Sequence, residues 1–248
     1  MRPARSLLLL GFLTLVVVAI LCVLGAWQVE RLAWKEALIA RVDAGLAAAP
    51  VPAPGPAEWP TLDLATREYQ PVTVSGTFRN DQEIAVVYAL TEPKGSASGI
   101  GFMIMTPLTT NDGWTVYVNR GFVPLAMKLP EKRAGSAIEG PTTVTGLLRQ
   151  PADRNWFMPG DNAPGNEWFS RDPKFFATAE GLPASSVAPY IIDAKFDSAL
   201  PGGLPQGGET IVAFPNNHLG YAITWFGLAL ASLGVFGAFA WKKLRQAP

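Results

Sequence analysis

Pro215-Asn216-Asn217-His218-Leu219-Gly220-Tyr221-Ala222-Ile223-Thr224-Trp225-Phe226 holds the single histidine of the chain. It also marks the end of a polar segment and the start of an apolar one. Leu219 to Trp241 contains no charge, and Lys242, Lys243 and Arg245 follow at once. Twenty-three such residues, rising about 1.5 Å each, make a helix of roughly 35 Å, enough to cross a bilayer core of about 30 Å. Asn216 or Asn217 is suited to cap this helix, which places His218 in its first turn, at a membrane surface.

A second charge-free run lies at the other end, from Leu7 to Trp27, with Arg2 and Arg5 before it. It is longer than a signal-peptide apolar core and ends in Trp27 rather than in a small-residue cleavage site. We therefore expect a retained membrane helix, anchored by Trp27 at the interface, with no cleaved organelle leader. The positive residues flank both spans on the terminal side, so the positive-inside rule puts both termini in the cytoplasm. The connecting segment, about 190 residues, is long enough to bury a core of its own and is expected outside.

Formal net charge is zero, which gives no electrostatic ground for nucleic-acid binding. The one cysteine, Cys22, lies in the first span, so no internal disulfide forms; it reads as a small buried hydrophobe. Gln28 to Leu46 continues the first helix. Trp27, Arg31, Trp34, Leu38 and Val42 fall on one face, which we expect to lie against the exported domain. Ala47 to Pro60 is rich in Ala and Pro and reads as a stiff, extended connector.

From Tyr69 the pattern has period two. Strands are expected over Val72–Gly76, Glu83–Leu90, Gly101–Leu108, Trp114–Val118, Thr142–Arg149, Tyr190–Ile192 and Thr210–Phe214. Asn111-Asp112-Gly113 turns the third into the fourth. Pro173 to Glu180 suggests a short helix. Pro71–Arg79 and Pro141–Arg149 echo one another and read as strands in similar environments. The expected fold is a membrane protein of the α+β class, two transmembrane helices flanking a mainly antiparallel, barrel-like extracytoplasmic β domain. Its divisions are 1–6 cytoplasmic, 7–27 first span, 28–60 juxtamembrane helix and linker, 61–217 periplasmic domain, 218–241 second span, and 242–248 cytoplasmic tail.

Enzyme constellations are missing from the sequence. One histidine at a membrane surface leaves no Ser-His-Asp or Cys-His arrangement in the domain, and no Walker or His-Glu-x-x-His motif occurs. Met103 and Met105 are thioethers on one strand face; core packing explains them better than copper. Arg120 ends a strand and serves either to clamp an anion or to pair with a carboxylate, with Gly121 allowing a tight backbone. Around His218, Tyr221 and Trp225 share a helical face, and Trp27, Gln28 and Arg31 lie at the same expected membrane depth. A flat apolar ligand would meet the imidazole and the aromatic rings, and Arg31 would pair with a ligand carboxylate. Equally, these are ordinary interfacial residues, with Arg31 snorkelling. The residues alone do not separate the two readings.

Several motifs in chain order resemble one known family. They are Gly25-x-Trp27-Gln28-x-x-Arg31-x-x-Trp34-Lys35; Pro71-Val-Thr-Val-x-Gly76-x-Phe78; Thr106-Pro107-Leu108 with Val118-Asn119-Arg120-Gly121; Val144-x-Gly146-x-Leu148-Arg149; and Asn217-His218-x-x-Tyr221-Ala222-x-Thr224-Trp225-Phe226. Together they resemble the Surfeit locus protein family of cytochrome c oxidase assembly factors, over nearly the whole chain. Phe122 departs mildly, standing where Trp is usual. The resemblance implies a non-enzymatic chaperone for haem–copper cytochrome c oxidase (complex IV) biogenesis in the bacterial inner (plasma) membrane. It would assist haem a insertion into the large oxidase subunit, alongside the haem a synthesis machinery. It further implies His218 as ligand to haem iron, the only metal contact, with Trp27, Gln28, Arg31, Tyr221 and Trp225 as neighbours. The alternative is a haem-free scaffold that steadies the nascent subunit.

Overall fold

In a computed structural model of the chain, which describes residues 3–152, 156–195, 203–210 and 216–246, the protein divides into two compact units. Ala44–Ile211 forms one; the residues before and after it form the other.

The second of these is a pair of helices, α1 (Pro3–Leu46) and α3 (His218–Arg245). Both are long and apolar enough to cross a membrane. Along α1, Gly11, Thr14, Val18, Leu21, Gly25 and Gln28 are shielded, while the residues between them, Leu24 excepted, are exposed. Along α3, the shielded positions are His218, Ala222, Trp225, Ala229, Ser232 and Phe236. Steps of four and three on both helices are the seam of a left-handed antiparallel pair. Small residues on that seam let the helix axes approach closely. A Cβ at Gly25 would meet the Phe226 ring at 2.7 Å, and one at Gly11 the Phe236 ring at 3.0 Å. Thr14 and Thr224 return their hydroxyls to the carbonyls of Leu10 and Gly220, so neither needs water. Cys22, expected to be buried, lies off the seam and is exposed on the helix surface. Trp27 and Trp34 also lie off it, each about half exposed.

Among the described residues, Ala44–Ile211 is built on seven strands: β1 (Val51–Pro52), β2 (Pro71–Phe78), β3 (Ile84–Leu90), β4 (Gly99–Thr110), β5 (Thr115–Pro124), β6 (Pro141–Arg149) and β7 (Val187–Ala194), with a short helix, α2 (Pro173–Ala179), before β7. The sheet order is β1-β2-β6-β7-β5-β4-β3, and β2 also pairs with β4. That extra pairing, Gly76 to Thr110 through Phe78 to Leu108, closes five strands into a barrel. β4 and β5 form the expected hairpin, and Thr106 lies opposite Val118 in it. The echoing segments are β2 and β6, antiparallel neighbours centred on Val74 opposite Val144, which explains why their sequences suit similar surroundings. Two pairings are parallel, β1 with β2 and β5 with β7, so the sheet is mixed. Of the expected strand Thr210–Phe214, residues 211–214 lie outside the described residues.

Alternation sorts the apolar side chains into layers. Val72, Phe78, Leu108, Val116, Val118, Leu148, Tyr190 and Ile192 come from all five barrel strands and fill its interior. Met103, Met105, Tyr117, Phe122 and Ile191 point the other way, under Phe176 and Ala177 of α2 and beside Trp168. β5 and β7 are thus covered on both faces. The Ala/Pro segment packs on the barrel: Ala53, Trp59, Leu62 and Leu64 contact the interior cluster. The Pro54 carbonyl accepts hydrogen bonds from the Tyr190 hydroxyl at 2.6 Å and the Trp59 indole at 2.9 Å.

Candidate functional site

Most of the buried charged groups of the barrel unit are committed to one another, while the Thr106 and Ser170 hydroxyls are buried without a hydrogen-bond partner among the described residues. Glu83 receives Arg120 at 3.3 Å and Arg133 at 2.6 Å, with all three side chains less than a tenth exposed. Arg120 also donates to the Ser136 carbonyl, and Arg133 donates to the carbonyls of Met127 and Lys128. The carboxylate-pairing reading of Arg120 is the one realised. Beside it, Gly121 has φ of 126°, and a Cβ there would meet the Gln206 carbonyl oxygen at 2.1 Å, so only glycine fits. Asp193 is likewise shared: Arg149 donates at 3.0 Å, Asn119 at 2.8 Å and Thr210 at 2.8 Å. Arg149 also meets Glu68 at 2.7 Å. Burial works against its charge, and the Asp193 and Glu68 carboxylates together outweigh that cost and keep the guanidinium protonated. Tyr117 donates to Glu180 at 2.9 Å, and burial pushes the pKa of both groups up. Met103 and Met105 pack in the apolar layer. Among the described residues no group of three His, Cys, Asp or Glu side chains is gathered to hold a metal ion.

The helix pair is different. α3 begins at His218, whose backbone N–H donates to the Asn216 side-chain oxygen at 3.4 Å; Asn217 occupies the cap position without a side-chain bond. The Tyr221 N–H reaches the Asn217 carbonyl at 3.2 Å. His218 therefore heads the first turn, as the asparagine pair suggested. One seam step beyond Gly25, the side chain of Gln28 is turned inward and is 8% exposed. Its Oε1 lies 2.7 Å from His218 Nδ1. An amide oxygen only accepts, so a bond in this orientation requires the hydrogen on Nδ1. The Nε2 lone pair is then left over, and Nε2 has no hydrogen-bond partner among the described residues.

The remaining candidates are arranged less tightly. Trp225 lies on the seam, half-buried. Tyr221 is 55% exposed and Trp27 50% exposed. The Arg31 guanidinium stacks on the Trp34 ring, 4.7 Å from its centroid, one turn along its own helix. So the structure brings together His218 and Gln28, puts Trp225 on the same seam, and leaves Trp27, Tyr221 and Arg31 on the outer surface of the helix pair. The Gly25–Phe226 contact, which sets how close the helices come at this end, is a packing feature that the motifs alone do not single out. The alternation of four and three along both apolar runs was the available signal.

A haem group needs a neutral imidazole with one lone pair free and apolar surface beside it. An imidazole whose other nitrogen donates to a buried carbonyl is the donor arrangement that metal sites use, and exposed aromatic rings occur on both helices. The residues fit.

Comparison with known proteins is consistent along the chain. The SURF1 family matches residues 15–230. Surfeit locus protein 1 of Homo sapiens is 37% identical over 238 residues, covering 91% of this chain and 74% of its own length. A SURF1-like protein of Monosiga brevicollis is 36% identical over 231 residues, 90% of this chain and 82% of its own. A SURF1-like protein of Drosophila melanogaster is 33% identical over 246 residues, 94% of this chain and 77% of its own. The matched span takes in the first half of the histidine-headed helix, most of its partner and the barrel strands, and the chain belongs to the SURF1 family.

Proposed function

We propose that this protein is a membrane chaperone of cytochrome c oxidase assembly that binds haem a through His218 and assists its insertion into the large oxidase subunit. The observation that carries the haem reading is the His218 Nδ1 to Gln28 Oε1 contact of 2.7 Å, which commits one ring nitrogen and leaves the other for a ligand. The oxidase role rests on membership of the family together with the resemblance of the chain's motifs to those of oxidase assembly factors. Arg2 and Arg5 at one end and Lys242, Lys243 and Arg245 at the other support termini on the cytoplasmic side and a barrel unit on the far side of the membrane, which we propose is the periplasm of a bacterial plasma membrane.

His218 would hold the haem through a ring nitrogen, and the bound haem would supply the iron chemistry that the receiving subunit uses. The chain's own contributions are the following. Gln28 holds the proton of His218 at Nδ1. Trp27 and Tyr221 offer apolar faces on the helix surface, and the buried Gly25 and Ala222 lie one step along the seam from the Gln28–His218 bond. Haem a synthesis would supply the ligand, and the oxidase large subunit would receive it. No turnover by this chain is required.

The test is the haem a content of the large oxidase subunit isolated from cells lacking this protein and complemented with wild type or His218→Ala. Wild type should restore haem a and His218→Ala should not. Wild-type protein that co-purifies with the subunit yet never carries haem would replace the haem reading with a scaffold.

A further inference from the structure

We propose that Gln28 is a positioning residue: it fixes His218 as the Nδ1–H tautomer and so aims Nε2 as the ligand nitrogen. This deepens the haem reading above and rests on it, but it makes its own claim about which ring nitrogen carries the hydrogen.

Three observations on the helix pair support it. First, Gln28 is the polar interruption of an otherwise apolar or small stripe, Val18, Leu21, Gly25 and Gln28, and it is buried. Burying a carboxamide is costly unless it is hydrogen-bonded. His218 Nδ1 at 2.7 Å supplies that bond. Second, the bond is between rigid supports. His218 is the first residue of α3, Gln28 lies within the 44 residues of α1, and Phe226 against Gly25 fixes the register a turn away. Third, the orientation of the carboxamide, with Oε1 toward the ring, sets the hydrogen-bond roles. A carboxamide oxygen accepts, so Nδ1 must donate, and a neutral imidazole has one hydrogen only. Without such an acceptor a neutral imidazole generally keeps its hydrogen on Nε2, which blocks that nitrogen as a ligand. Gln28 therefore reverses the ring's default and frees Nε2. It acts through the histidine and needs no contact with the bound group. Second partners of this kind on metal-bound histidines tune affinity by about 10–100-fold.

The chain's single histidine makes the test direct, because one imidazole gives one pair of ring-nitrogen signals. The full chain, labelled with 15N-histidine and held in detergent micelles without haem, is examined by NMR where the ring is neutral. Wild type should show hydrogen on Nδ1 and a lone pair on Nε2. Gln28→Leu should move the hydrogen to Nε2, and Gln28→Glu, which keeps an oxygen acceptor, should restore Nδ1–H. Titration with ferric haem b should then show affinity about 10–100-fold weaker in Gln28→Leu than in wild type, and the iron–histidine stretch of the reduced complex should shift. Hydrogen on Nε2 in wild type would overturn the proposal, since the carboxamide would then present its NH2 to Nδ1. An Nδ1–H signal that survives Gln28→Leu would overturn it too. Wild type alone decides the first point, even if Gln28→Leu does not fold. Haem retained by His218→Ala would instead sink the ligand assignment, while the tautomer signals would still decide the role of Gln28.

Discussion

Removing the Glu83 carboxylate should unfold the barrel unit far more readily than removing an exposed one. Glu83 is 8% exposed at its side chain, Arg120 3% and Arg133 0%, and the carboxylate meets both guanidinium groups. Glu83→Ala leaves two buried cations without it. Breaking one buried pair from one side costs about 3–5 kcal/mol. Here two cations are affected, yet each keeps carbonyl acceptors: Ser136 for Arg120, and Met127 and Lys128 for Arg133. Those bonds offset part of the second penalty, so we expect about 3–5 kcal/mol in all. At about 2–4 °C per kcal/mol for a chain of this size, the melting temperature should fall by roughly 6–20 °C. The control is Glu167→Ala, which breaks a pair with Lys128 at 3.0 Å whose carboxylate is 44% exposed; its cost should be at most about 1 kcal/mol. Thermal unfolding of the full chain in detergent, followed by tryptophan fluorescence, reads both. Equal shifts for the two variants would refute the claim that Glu83 is the buried hub.

Three further outcomes follow from the geometry. Burial raises the Glu180 carboxyl above its ordinary 4.5, the Tyr117 and Arg79 contributions being smaller and opposite; below about 4.5 both folded and unfolded chains are protonated and this contribution to stability is complete. As pH rises the unfolded chain ionises first, so the contribution is lost up to the folded value. Glu180→Gln should therefore flatten the fall of melting temperature above that pH, and superimposable curves would contradict it. Gly25→Val puts side-chain atoms where a Cβ already meets the Phe226 ring at 2.7 Å; overpacking should cost about 1–3 kcal/mol and part Gln28 from His218, seen as hydrogen moving to Nε2 in the same 15N spectrum. Met105→Leu, at a fully buried site, should cost under about 1.5 kcal/mol, and Cu(I) should leave wild-type melting unchanged; a copper-dependent rise lost in Met103→Leu would reverse the core reading.

How far the sequence reaches is visible residue by residue. Alternation in Val116-Tyr117-Val118 and the Asn111-Asp112-Gly113 turn signal local geometry, and the β4–β5 hairpin follows from them. The run Pro173 to Glu180 signals α2, which spans Pro173–Ala179 with Asp172 accepting from the Lys174 N–H at its start. The barrel-like shape is expected from the strand pattern, but the pairing that closes it, Gly76 with Thr110, leaves no such trace, because strand pairing at a distance is set by the whole core. The parallel β5–β7 pairing is hidden for the same reason. At the site, His218 stood out as the lone histidine, and Gln28 lay at the right depth. Their pairing joins positions 190 apart, and it recasts Gln28 from a neighbour of the ligand to a partner of the histidine. The sequence suits Arg31 to a ligand carboxylate, and the structure adds that its guanidinium stacks on the Trp34 ring. That stacking depends on rotamers, which one-dimensional spacing does not carry.

The most direct measurement is the visible spectrum of full-length protein, purified in detergent from cells that make haem a, for wild type and His218→Ala. Wild type should carry haem a, and its absorbance should be lost in His218→Ala while the barrel unit still melts as before. The same haem a spectrum in both proteins would contradict the assignment of His218 as the ligand.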